Sequence, residues 1–272
     1  MQSNFCFMVP VWGEEYTALF ADICLPLLLT AGNLRYFSDD RSAIFIIATT
    51  YRDGEVLKKS RAFKRLISII RVKLILIDGL VDFDNVHRAM SEAYLMAMRS
   101  EEIIPGVTNF IFLTPDSFWS DGSFARLYEL SQKGYKAVMV LGLRIKSESG
   151  QPYLAKIIRE KEDNPTIENT ELTAFVLQQL HAMGEAHDWL SKEGFLNSYP
   201  SQIYWKFGQD FMVAHCFHLH PLMVRSPKTF IKIDTTIDGD FLAKIKYPTN
   251  SYYIVQNSSE MIGVELSATD KN

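Results

Sequence analysis

An α/β fold on a mostly parallel central sheet, with helices on both faces, is the class the sequence predicts, and two observations predict it. Over the first 145 residues short apolar runs alternate with helix-periodic segments, the pattern of a parallel sheet whose crossovers are helices. The runs are also continuously apolar rather than alternating, as in "SAIFIIATT" (42–50), which suits strands covered on both faces.

Each element follows in order. "FCFMVPVW" (5–12) is a buried strand with Pro10 near its carboxyl end. "EEYTALFADICLPLLLTAGN" is a helix interrupted by Pro26 and closed by Gly32 and Asn33. Strand 42–50 comes next, then a helix over "GEVLKKSRAFKRLISI", then a third strand, "VKLILID" (72–78). "DFDNVHRAMSEAYLMAMRSEE" (82–102) carries Val86, Met90, Ala93, Tyr94 and Ala97 along one helical side. "TNFIFLTPD" (108–116) is a fourth strand, 123–134 a helix ended by Gly134, and "KAVMVLGLRI" (136–145) a fifth strand. Residues 146–166 are polar and predict a loop with a short helix, and 168–194 predict one or two helices. The chain therefore divides into an α/β half (1–145) and a smaller α+β half of the same domain (146–272), with no long linker at the boundary. In a parallel sheet ligands bind at the carboxyl ends of the strands. Here those ends read "PVWGEE", "TTYRDG" and "TPDSFWSDG", all polar or turn-forming.

Composition narrows the function. The 272 residues are 47% hydrophobic and 22% charged with a net charge of −4, ordinary globular proportions without the basic stripe a nucleic-acid backbone requires. The one basic cluster, "LKKSRAFKRL" (57–66), is interleaved with apolar residues at helical spacing and reads as a solvated helix face. Cys6, Cys24 and Cys216 have no CxxC spacing and are odd in number, which favours a reducing compartment. The opening residues lack a secretory pattern and no apolar stretch is long enough to span a bilayer. A cytoplasmic location is expected, with peripheral membrane association left open. Neither a dinucleotide-binding Gly-x-Gly-x-x-Gly, a P-loop nor a Gly-x-Ser-x-Gly elbow is present.

Three groups of residues carry candidate chemistry. Asp116 ends the fourth strand, where a carboxylate on a rigid support can hold a divalent cation against a diphosphate; capping of the next turn is the competing role. "HCFHLHP" (215–221), taken as a strand, sends Cys216, His218 and His220 to one face and His215 to the other. In "TTIDGDFL" (235–242), Asp238 and Asp240 could bind a cation or sugar hydroxyls or act as a catalytic base, and an Asp-Gly turn between strands explains them equally well.

The segments "FMVPVWGEEYT", "FIIATTYRDGEVL" and "HRAMSEAYLMAM…TNFIFLTPD" together resemble the GT-A fold of nucleotide-sugar-dependent glycosyltransferases. The wider pattern, including "HLHPL" and "TIDGDFL", is similar to a group of bacterial GT-A-like proteins. The resemblance implies a transferase that moves a sugar from a nucleotide-diphosphate donor such as a UDP sugar to a saccharide or surface-polymer acceptor. It implies that Pro10, Val11, Trp12 and Glu14 line the nucleotide pocket, that Thr49 and Asp53 border base and ribose, and that Arg88 approaches the diphosphate. It also implies a Mn²⁺ or Mg²⁺ ion on Asp116 with His218 or His220 opposite, and Asp238 or Asp240 as base if the reaction inverts. Thr114 stands where the family's Asp-x-Asp motif has its first acid, so a catalytically inactive nucleotide-sugar-binding or scaffold module is the alternative. A sugar-phosphate nucleotidyltransferase is a weaker third reading.

Overall fold

A computed structural model describes residues 4–38, 42–79, 85–162, 164–191, 201–209, 211–229, 231–233, 237 and 239–269. The chain opens with β1 (Phe5–Val11), then α1 (Glu14–Leu19), a π-helical turn (Phe20–Cys24) and α2 (Leu25–Leu28). The widened turn lies just before Pro26, which has no N–H to donate to the preceding turn. Next come β2 (Ala43–Thr49), α3 (Tyr51–Lys59), α4 (Arg61–Ile69), β3 (Arg71–Leu76), α5 (Val86–Met98), β4 (Asn109–Phe112), β5 (Ser117–Trp119) and α6 (Ser123–Gln132). The second half adds β6 (Ala137–Val140), β7 (Leu143–Lys146), α7 (Ser147–Glu160), α8 (Asn169–Gln178), α9 (Ala182–Glu185), β8 (Gln202–Phe207), β9 (Phe211–Cys216), β10 (His220–Arg225), α10 (Gly239–Ile245), β11 (Tyr252–Ile254) and β12 (Gly263–Ser267).

Seven strands form the central sheet in the order β11-β6-β10-β4-β1-β2-β3. β3, β2, β1 and β4 are parallel, β10 runs antiparallel between β4 and β6, and β11 is parallel to β6. Thus β10, from the second half of the chain, completes a sheet begun by the first. Odd-numbered β1 residues Phe5, Phe7 and Val9 enter one core with Phe37, Phe45 and Phe124. Even-numbered Cys6 and Met8 enter the other with Tyr94, Phe110 and Phe112. Burial on both faces is the reason these strands read as unbroken apolar runs.

Pro10 sits in a central strand, normally a poor place for a residue with no N–H. Met8 accepts from Leu113 N on the β4 side at 2.9 Å, so Pro10, two residues on, faces the same side. The β4 ladder has ended there, at Met8 opposite Phe112, and no donor is needed.

Four local expectations are corrected. Residues 136–145 form two strands, because the chain breaks at Leu141 and Gly142 and β7 leaves the central sheet for a three-stranded one, β5-β12-β7. The helix over 54–69 is two, since extended Ser60 ends α3 and its hydroxyl caps α4 by accepting from Phe63 N at 3.1 Å. Residues 147–160 are one full helix rather than a loop with a short helix. Its face carries buried Leu154 and Ile157, and Gly150 packs so closely that an added Cβ would lie 2.5 Å from Leu266 Cδ2. Lastly, "HCFHLHP" is not one strand: β9 ends at Cys216, Phe217–Leu219 bend, and β10 starts at His220.

Candidate active site at the carboxyl edge of the sheet

The first group of site residues lies where β1 and β2 end. The two strands run in register as far as Val11 opposite Thr49, so the loops beyond them emerge side by side. Gly13 takes a positive φ of 82°, a conformation that favours glycine, and its N–H donates to Asp53 Oδ2 at 3.0 Å. Thr50 Oγ1 donates to the same oxygen at 2.6 Å and accepts from Asp53 N at 3.1 Å, capping α3. Asp78, beyond β3, accepts from Tyr51 N at 2.8 Å and so holds the same helix start. Asp53 is buried and ties the β1 loop to the β2 loop.

Pro10 and Val11 are buried in β1, half-buried Trp12 packs against Ala48, Ile77 and Ala93, and Glu14 is exposed at the start of α1. Thr49 is fully buried, with no partner for its hydroxyl among the described residues. Arg88 is exposed on α5 and donates through Nε to Glu92 at 2.9 Å. The register thus brings Trp12, Gly13, Thr49 and Asp53 together, while Arg88 is engaged along its own helix.

The second group lies where β4, β6 and β10 meet. His220 pairs with Val140 across β10 and β6, and its Nε2 is 3.1 Å from the carbonyl oxygen of Phe112, the last residue of β4. A carbonyl can only accept, so Nε2 carries the proton and Nδ1 is left with a lone pair in the neutral ring. Burial lowers the His220 pKa below the usual imidazole value, opposed by the Phe112 bond and the charge of Glu265. The ring is therefore neutral at neutral pH.

Asp116 follows β4 at the corner into β5. Its carbonyl accepts from Leu266 N at 3.0 Å, and in β12 Glu265 pairs with Ser117 on one side and Arg144 on the other. Arg144 Nε donates to Glu265 Oε2 at 3.0 Å. Burial, and then the like charge of Glu265, push the Asp116 carboxyl up to about 6. Thr114, Ser117, Trp119, Gly142, His220 and Glu265 line a cavity of about 70 Å³, with room for a hydroxyl group but not a sugar ring. The Trp119 indole N–H is buried without a partner among the described residues, while the Thr114 hydroxyl helps to hold the Asp116 carboxylate.

His218 is exposed in the bend between β9 and β10, and the face-sharing argument that joined it to His220 falls with the continuous strand. Among the described residues no three His, Cys, Asp or Glu side chains converge as a metal-binding group. What Asp116 and its neighbour Glu265 do offer is two carboxylates at the sheet edge. Mg²⁺ is commonly held by one or two such oxygens completed by substrate phosphates. Asp238 lies outside the described residues; Asp240 is in the first turn of α10 but its side chain is outside them too. Glu265, Arg144 and Asp78 escaped the sequence reading. An isolated acid inside the apolar run "MIGVELS" was the available signal for Glu265.

No family model matches the chain, and no curated protein matches it. Solved structures give partial overlaps. Staphylococcus aureus TarS shares 13% identity over 52% of this chain and 22% of its own, at a TM-score of 0.33. Mouse xyloside xylosyltransferase 1 shares 16% over 58% of each chain, also at 0.33. An active-site mutant of LgtC shares 12% over 50% of this chain and 46% of its own, at 0.29. The chain thus spans less than two thirds of each, and likeness at this level carries no weight for fold or activity. No described helix is long and apolar enough to cross a membrane.

Proposed function

We propose that the protein is a glycosyltransferase that moves a sugar from a nucleotide-diphosphate donor to a hydroxyl of a saccharide acceptor. The observation that carries this reading is Glu265 at the carboxyl edge of a mostly parallel sheet, lining a cavity with a tautomer-fixed His220 and close enough for its charge to act on Asp116. The resemblance of "FMVPVWGEEYT" and "FIIATTYRDGEVL" to nucleotide-sugar enzymes supports it.

In this reading the β1 and β2 loops, locked together by Asp53, receive the nucleotide against Trp12, with Pro10, Val11, Glu14 and Thr49 framing the pocket. Arg88 would leave Glu92 to approach the diphosphate. A Mn²⁺ or Mg²⁺ ion shared between the donor diphosphate and Asp116 would offset the leaving-group charge. The acceptor hydroxyl occupies the small cavity, where His220 Nδ1 accepts its hydrogen bond and then its proton as the sugar transfers. The Phe112 carbonyl orients the ring for this by holding Nε2–H, as a second-layer acceptor orients a catalytic histidine generally. Asp238 and Asp240 are the other base candidates.

Transfer is tested by incubating the protein with UDP sugars and simple glycoside acceptors, with and without Mn²⁺, and following nucleotide release. The reading predicts release that depends on acceptor and falls by a factor of about 10² or more in His220→Gln. Donor binding without release or transfer would instead favour the inactive binding module.

A further inference from the structure

Beside the His220 cavity lies a larger cleft of about 370 Å³, within the range of small-molecule sites. Its walls are the inward face of β9 (Met212, Ala214), one side of α8 (Val176, Leu177), the end of β6 and the segment after β11. Val140, Leu141, Leu143 and Gly263 line both spaces, so the cleft is continuous with the place where the reacting hydroxyl is proposed to sit. The lining is mainly aliphatic, and no Asp, Glu, Lys or Arg belongs to it among the described residues. Gln256, Asn257 and Ser258 supply uncharged hydrogen-bonding groups along one wall.

Resting on the glycosyl-transfer reading, we infer that this cleft takes the apolar aglycone of a neutral, hydroxyl-bearing acceptor, an alkyl or acyl chain joined to the sugar that receives the transfer. A bare saccharide has few apolar groups to match a wall of Leu, Val and Met, and a charged acceptor would be desolvated with only the His215 imidazole among the lining residues to meet it. The amide and hydroxyl groups of residues 256–258 then meet the sugar, while the chain runs toward Met212 and Leu177. The opposite face of β9 turns Phe211 and Val213 outward, 53% and 49% exposed, and provides an internal control for non-specific adsorption.

The probes are methyl, butyl and hexyl β-glucosides below their micelle-forming concentrations, titrated calorimetrically into the full chain without donor. The inference predicts that affinity rises about fourfold per added methylene, that Met212→Trp or the milder Ala214→Leu collapses hexyl binding to the methyl value, and that Val213→Trp leaves the series unchanged. Thermal melts of the variants separate filling of the cleft from misfolding. A flat series, or a series abolished by Val213→Trp and untouched by both cleft variants, overturns the inference. Nucleotide titrations run in parallel: donor binding with a flat alkyl series sinks the aglycone cleft alone, and a steep series without nucleotide binding sinks the transfer reading alone.

Discussion

Asp116 and His220 are held in opposite senses by the same surroundings. The Asp116 carboxyl titrates near 6, above its ordinary value, because burial and Glu265 disfavour its charge. A raised carboxyl pKa means that ionised Asp116 costs stability at neutral pH, a cost that develops as pH rises from about 4 to 6 and is absent below. In metal-free buffer Asp116→Asn should therefore be more stable than wild type at pH 7 by up to about 3 kcal/mol, with the difference vanishing near pH 4. Denaturant melts at both values check this. Burial lowers the His220 pKa, so the unfolded chain binds a proton first and stability contributed by the neutral ring is lost as pH falls below about 6.5. Both groups point the same way for activity in the proposed mechanism, where the ionised carboxylate and the neutral imidazole are the working forms. A pH profile of kcat/KM should rise through about pH 6, and in His220→Gln only the Asp116 part of that rise should remain.

At the scale of elements, the sequence was legible where periodicity alone decides structure. β1, β2 and most of β4 are continuous apolar runs, β3 at the sheet edge interrupts its run with Lys73, and α5 and α6 carry clear apolar sides. It was illegible where one tertiary contact decides. Nothing local to "KAVMVLGLRI" tells that Leu141 and Gly142 divide it between two sheets, since both halves are equally strand-like. The bend at Phe217–Leu219 was hidden by a run that alternates perfectly well as a strand. The same reason hid half of the candidate site. Asp116 and Asp53 stand at strand ends in the first half, whereas Glu265 reaches Asp116 only through the pairing of β12 with β5. That pairing requires a bare backbone: a Cβ on Gly263 would lie 2.3 Å from Trp119 Cη2. Gly263→Ala should cost about 1–3 kcal/mol and, by shifting Trp119 in the small cavity, lower transfer more than donor binding. The Asp53 tie between the β1 and β2 loops gives a contrasting expectation. Asp53→Ala releases Gly13 N–H and the Thr50 hydroxyl proton while Thr50 still caps the backbone N–H of position 53, at about 1–2 kcal/mol, and should weaken donor binding. Asp53→Asn, which keeps an acceptor oxygen, should recover most of the stability in thermal melts.

For the whole molecule, one departure of the spatial order from the chain order builds the candidate site. β10 inserts antiparallel between β4 and β6, and this late insertion carries His220 to the end of β4 more than a hundred residues earlier in the chain, a separation of 108 to Phe112. The sheet edge thereby gains an imidazole from the second half near Glu265, whose charge also acts on Asp116 from the first. The loops of β1 and β2, proposed to receive the nucleotide, lie along the same edge, and the apolar cleft adjoins it from the β9 side. In the proposed reading, donor, reacting hydroxyl and aglycone occupy neighbouring stretches of one edge. Calorimetric titration with a panel of nucleotides and nucleotide sugars, with and without Mn²⁺, tests this account most directly. It predicts micromolar binding of a nucleotide sugar, weakened at least tenfold by Asp53→Ala and, when Mn²⁺ is present, by Asp116→Ala; no binding of any nucleotide or nucleotide sugar to the folded protein would contradict it.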